Sequence, residues 1–130
     1  MIILTIKTDN PKAELGLYNG TEQLAHETWQ AHRELAETIH GKIEQLLKSN
    51  QKDWQDIAGI VCFAGPGSFT GLRIGLSVGN ALAYGVSAPI VSARGETWAN
   101  DGIKRLLAGE ADPLALPEYG AEAHITTPRK

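Results

Sequence analysis

Apolar and polar residues follow one rhythm up to Trp29 and another after it. Ile2 to Ile6 is a β-branched, apolar run and predicts a buried strand. Asn10-Pro11 marks a turn. Ala13 to Tyr18 predicts a second strand with Leu15 and Leu17 on one face. Asn19-Gly20 is a hairpin signal, and Leu24 to Trp29 continues as the third strand of a meander. The period then lengthens. Leu35, Ile39, Ile43 and Leu46 recur at helical spacing, widened by Ala36, His40 and Leu47, and predict a helix over Arg33 to Lys48. Ser49 to Trp54 is polar and reads as a loop. Ile57 to Ala64 (IAGIVCFA) is nearly continuous in apolar character, the pattern of a central strand covered on both faces.

A glycine-rich stretch, Gly65-Pro66-Gly67-Ser68-Phe69-Thr70-Gly71, leads into a helix predicted from Leu72 to Tyr84. Ser68 or Thr70 can cap its start, and Gly85 can stop it. Pro89 to Ser92 predicts a short fifth strand. Thr97 to Ala108 predicts a third helix with Trp98, Ile103, Leu106 and Leu107 apolar. From Gly109 to Lys130 the pattern ends, with Pro113, Pro117 and Pro128 in the stretch. Residues 1–108 are therefore expected to form one domain. Residues 109–130 are expected to form an extended tail, docking through Leu114, Leu116, Tyr119 and Ile125. The order βββαβαβα implies an α/β fold, a mixed five-stranded sheet with helices packed on it. Among folds with that order, the ribonuclease H-like domain of the actin and sugar-kinase superfamily fits best.

Composition narrows the function. The 130 residues are 42% apolar and 21% charged, enough for one core without disulfides or metal. A formal charge of −3 gives no general pull on a phosphate backbone, so nucleic acid has to be held by a local patch or a partner. The single cysteine, Cys62, lies mid-strand and has no partner in the chain, which fits a reducing, cytoplasmic setting. The opening MIILTIKTDN lacks a basic stretch and reads as a strand rather than a leader. No window approaches the roughly 18 apolar residues of a membrane span.

The most informative stretch is Gly65 to Ala83. Strand, glycine-rich turn and helix can cradle a phosphate on backbone amides. Yet no Gly-Lys-Ser/Thr ends the loop, so it is not a P-loop, and Gly65, Gly67 and Gly71 lack dinucleotide spacing. A tight turn needing positive φ and a direct ligand contact both stand as readings. In the helix, Gly71, Gly75, Gly79 and Ala83 recur every four residues and make one face smooth. Each interior glycine costs roughly 0.5–1 kcal/mol relative to alanine, so close backbone approach has to repay it. Leu72, Ile74, Leu76, Val78, Ala81 and Leu82 leave Arg73 as the one charge. Such a helix is either central or offers a spare face as an interface. Arg73 then either bonds a partner or snorkels to solvent. His26, His32, His40 and His124 form no zinc-like spacing, Ser68 sits in no G-x-S-x-G elbow, and Asp9 reads as a turn residue. Trp29, Trp54 and Trp98 are too dispersed to be a stacking platform.

GPGSFTGLRIG, residues Gly65 to Gly75, resembles the signature of the TsaB/YeaZ family of bacterial tRNA threonylcarbamoyladenosine biosynthesis proteins. The opening ILTIKTDNPKAELGLYNG, the Arg33-Glu34 pair and the terminal PEYGAEAHITTPRK resemble the same family, over about residues 1–95 and 113–130. The chain departs where the family has an aspartate associated with metal and phosphate: Lys7 stands there, followed by Thr8-Asp9. Leu35 stands where the family often has histidine. Almost none of the family's second domain is present. The resemblance implies a non-catalytic partner of TsaD, the subunit that transfers the threonylcarbamoyl group to adenosine 37 of tRNA. It also implies a TsaE-like ATPase in the assembly, tRNA contact within the complex alone, and a homodimer when TsaD is absent. No cofactor is expected for the chain alone; ATP and magnesium belong to the partner subunits. The implied partner surface uses the first two helices: Leu35, Ile39, Ile43, Leu72, Arg73, Gly75, Leu76, Gly79, Leu82 and Ala83. A weak nucleotide-binding ATPase of the same superfamily and a self-associating module are the alternatives.

Overall fold

The structure, a computed structural model, describes residues 1–67 and 69–116, without the side chains of His32 and Phe69. The elements run β1 (Ile2–Lys7), β2 (Lys12–Asn19), β3 (Glu22–Gln30), α1 (Leu35–Ser49), β4 (Ile57–Phe63), α2 (Phe69–Val86), β5 (Ile90–Ala93) and α3 (Trp98–Leu107). The order βββαβαβα expected from the apolar pattern is present. The sheet is ordered β3-β2-β1-β4-β5. β1 runs antiparallel to β2 and parallel to β4; β2 and β3 are antiparallel, and β4 and β5 parallel. This is the ribonuclease H-like arrangement, with a meander on one side of β1 and a crossover on the other.

The strand period sorts the core into two layers. Leu4 and Ile6 of β1, Leu15 and Leu17 of β2, and Ile60 and Cys62 of β4 face α1 and α2, and all are essentially sealed. On the reverse face Ile3, Val61 and Val91 pack under Ile103 and Leu106 of α3. The amphipathic stripe of α1 does what its spacing requires: Leu35, Ile39, Ile43, Leu46 and Leu47 all point into the first layer.

Helix ends depart from expectation. α2 begins at Phe69, so Thr70 lies inside the first turn instead of capping it, and Ser68 lies outside the described residues. Gly85 does not stop the helix. Ser87 does, at φ +57°, with Ala88 N donating to Ala83 O at 2.9 Å and Ser87 N to Tyr84 O at 3.3 Å. α1 ends in the same way through Gln51 at φ +57°. These paired backward bonds satisfy the last free carbonyls without glycine.

Beyond α3 the chain folds back over the sheet. Arg105 Nη2 donates to Asp112 Oδ1 at 2.6 Å, and Asp112 N donates to Ile90 O at 2.8 Å. Further on, Asn80 of α2 and the backbone of Ala115 exchange two hydrogen bonds, at 3.0 and 2.9 Å. The segment does dock, but not through the expected leucines. Leu114 and Leu116 are 51% and 61% exposed, while Ala115 is buried. Backbone and carboxylate groups make the attachment, so apolar content was the wrong guide. Tyr119 and Ile125 lie outside the described residues.

Candidate partner surface and motif loop

The tip of β1 and the glycine loop form one assembly. Gly65 sits at φ +122°, a conformation that side chains rarely adopt. Gly67 lies directly on Asp9, where any Cβ would overlap the aspartate side chain. Thr8, itself buried, donates from Oγ1 to Gly71 O at 2.7 Å and ties β1 to the first turn of α2. The loop is thus built to pass closely over β1. Lys7 and Asp9 complete the tip. Lys7 Nζ bonds Asp9 Oδ1 at 2.6 Å, lies 4.0 Å from Glu14 Oε2, and sits 4.7 Å above the Phe63 ring. Phe63 in turn meets Trp98 of α3 edge-on at 5.7 Å. The Lys7 ammonium at this tip is thus already paired with a carboxylate. Among the described residues, no three of His, Cys, Asp and Glu come together to hold a metal.

The glycine stripe of α2 turns inward. A Cβ at Gly75 would overlap Thr8, and one at Gly79 would overlap Cys62 Sγ. The stripe lets the helix backbone settle on the sheet, and the side chains of Thr8 and Cys62 fill the space so made. Burial pushes the Cys62 thiol up to about 12, so it is a packing group and not a nucleophile. The expected interface residues therefore divide. Leu35, Ile39, Ile43, Leu72, Gly75, Leu76, Gly79 and Ala83 are buried in this chain's own core, Leu82 is half-buried, and Arg73 is exposed. A smooth helix face that a sheet covers cannot at the same time meet a partner.

What α2 does present is its opposite side. Arg73, Ser77, Ala81 and Tyr84 recur at helical spacing along an exposed ridge, and Tyr84 is 90% exposed. A groove lies on each flank. One, about 360 Å³, runs between Ile74 and Thr70 of α2, Arg33, and Asn10 and Pro11 of the β1–β2 turn. The other, about 410 Å³, lies between Ser77 and Asn80 of α2 and Leu114 and Leu116. The sequence did not single out Ser77, Asn80 or Tyr84; Ser77 and Tyr84 are exposed, and Asn80 is half-buried against Ala115. Their polar positions among glycine and leucine were the available signal.

A family model described as "TsaD: tRNA N6-adenosine threonylcarbamoyltransferase" matches residues 29–93, which include the loop and all of α2. The tRNA threonylcarbamoyladenosine biosynthesis protein TsaB of Escherichia coli (strain K12) is 31% identical over 115 residues, covering 83% of this chain and 49% of the relative. That of Bacillus subtilis (strain 168) is 30% identical over 103 residues, covering 78% and 45%. Among solved structures, YeaZ from Pseudomonas aeruginosa superposes with a TM-score of 0.66 at 22% identity, over 72% of this chain and 43% of that one, and shares the fold. The chain spans about half the length of the curated relatives it matches.

Proposed function

The chain belongs to the TsaB/YeaZ family, within the reach of the threonylcarbamoyltransferase family model, and on that premise we propose that it is a non-catalytic partner subunit supporting a TsaD-like enzyme in threonylcarbamoylation of adenosine 37 of tRNA. The observation that carries this reading is the Lys7–Asp9 pair at the tip of β1. Metal-assisted chemistry on nucleotide phosphates commonly draws on a carboxylate that is free to hold the ion. Here the carboxylate at that tip already neutralises an ammonium. ATP and magnesium then belong to the transferase and to a TsaE-like ATPase, and tRNA is met only within the complex.

The partner surface in this reading is the α2 ridge, not the glycine stripe. Arg73 is the charged member, Tyr84 the aromatic one, and the two flanking grooves accept side chains from the facing subunit. Mixing the chain with the transferase subunit of the same genome gives a one-to-one complex by light scattering. Failure to associate at micromolar concentration, with and without ATP, overturns the proposal. An Arg73→Glu variant weakens the complex by about tenfold or more, with circular dichroism checking that the variant is folded. Calorimetry of the isolated chain with ATP and magnesium shows no heat; binding and turnover there would instead favour a nucleotide-hydrolysing role.

A further inference from the structure

β5 is the last strand of the sheet, and among the described residues its outer edge is met by the segment that follows α3. Pro89 and Ala93 face β4, since Ile60 N donates to Pro89 O at 3.0 Å and Ala64 N to Ala93 O at 2.7 Å. By strand alternation, Ile90 and Ser92 turn their backbone groups outward. Three of these groups are met one by one. Asp112 N donates to Ile90 O at 2.8 Å, Ser92 N donates to Asp112 Oδ2 at 2.8 Å, and Arg105 Nη1 donates to Ser92 O at 3.2 Å. Arg105 also grips Asp112 through both terminal nitrogens, and Glu110 through Nε at 2.9 Å. Only one of the three contacts to β5 is backbone to backbone. Pro113 follows at once and has no N–H with which to extend a ladder.

We propose that Arg105 and Asp112 form a plug that keeps the β5 edge from pairing with β5 of a second copy of this chain. The edge is self-complementary. In an antiparallel pair, opposite residues exchange two bonds. About a two-fold axis at Val91, Ile90 of one copy lies opposite Ser92 of the other, so Ser92 N–H would donate to Ile90 O and Ile90 N–H to Ser92 O, replacing the three contacts of the plug. That symmetry selects a second copy as the occupant. The plug closes the edge without adding a strand that would itself need closing.

The test uses the full chain carrying Arg105→Gln with Asp112→Ala. Sedimentation across micromolar concentrations is expected to show self-association at least about tenfold tighter than in the unsubstituted chain. Adding Ser92→Pro, which removes the outward N–H, is expected to reverse the gain. A dimer through the α2 ridge would not respond to Ser92→Pro. Association no tighter than in the unsubstituted chain, or a gain that survives Ser92→Pro, overturns the proposal. Should circular dichroism show the double variant unfolded, Asp112→Asn takes its place under the same two criteria, with a smaller shift expected.

Discussion

Helix α2 and the segment after α3 are fastened to the same sheet by opposite means. α2 is held by what it lacks: Gly75 and Gly79 bring its backbone down onto Thr8 and Cys62 with no room for a methyl group. The later segment is held by what it adds: Asp112, reached by Arg105 and Ser92, and Ala115, reached by Asn80. The first attachment is packing in a dry interior and has no slack. The second is made of polar groups that keep some solvent, so it responds to charge, acid and salt. An attachment of the first kind fixes a fold. One of the second kind can be adjusted.

The largest expected effect breaks the packed attachment. Gly75→Leu drives a side chain into Thr8 and should cost more than about 3 kcal/mol, seen as a large fall in the urea midpoint. A variant that stays as stable as the original would show that the helix can lift off the sheet. Asn80→Ala strips both bonds to Ala115 and should cost about 1–2 kcal/mol, with Ala115 amide exchange rising in parallel. Asp112→Asn should cost about 1 kcal/mol at neutral pH, because the pair with Arg105 is partly solvated.

That last loss depends on pH in a defined direction. The Arg105 hydrogen bond, aided by the Ser92 amide, holds the Asp112 carboxyl below its ordinary value. Its contribution is complete above the unfolded-state pKa and disappears as the pH falls through the lower folded-state value. The stability gap between the unsubstituted chain and Asp112→Asn should therefore close in acid, and a gap that widens would contradict the geometry. The smallest effect sharpens the contrast among glycines. Gly41 in α1 faces open space, so Gly41→Ala should stabilise by about 0.5–1 kcal/mol, the reverse of what any side chain does at position 75.

Much of this architecture can be read from the chain alone. Leu35, Ile39 and Ile43 announce α1, Ile57 to Ala64 reads as a strand covered twice, and the order of elements leads to the sheet. The direction of the glycine face is harder. Spacing of four shows that a helix side is smooth, but not whether a sheet or a second protein lies against it. Thr8 and Cys62, which decide the matter, come from strands far away in sequence. The plug was hidden for a similar reason. Asp112 between Ala111 and Pro113 looks like any loop aspartate, and its pairing with Arg105 depends on a turn after α3 that no periodicity marks. Residues that act through apolar repetition were legible; single polar residues placed by the backbone were not.

The strand order also carries a consequence for how the molecule assembles. β1 comes first in the chain yet lies at the centre, with Ile2 opposite both Asn19 and Ile57. Its antiparallel neighbour is at hand almost at once, whereas its parallel neighbour waits until α1 has been made. During synthesis the meander can close early, but one flank of β1 stays unsatisfied until β4 emerges from the ribosome. Substitutions such as Val61→Ala should accordingly slow refolding in stopped-flow measurements more than equally destabilising changes in β3.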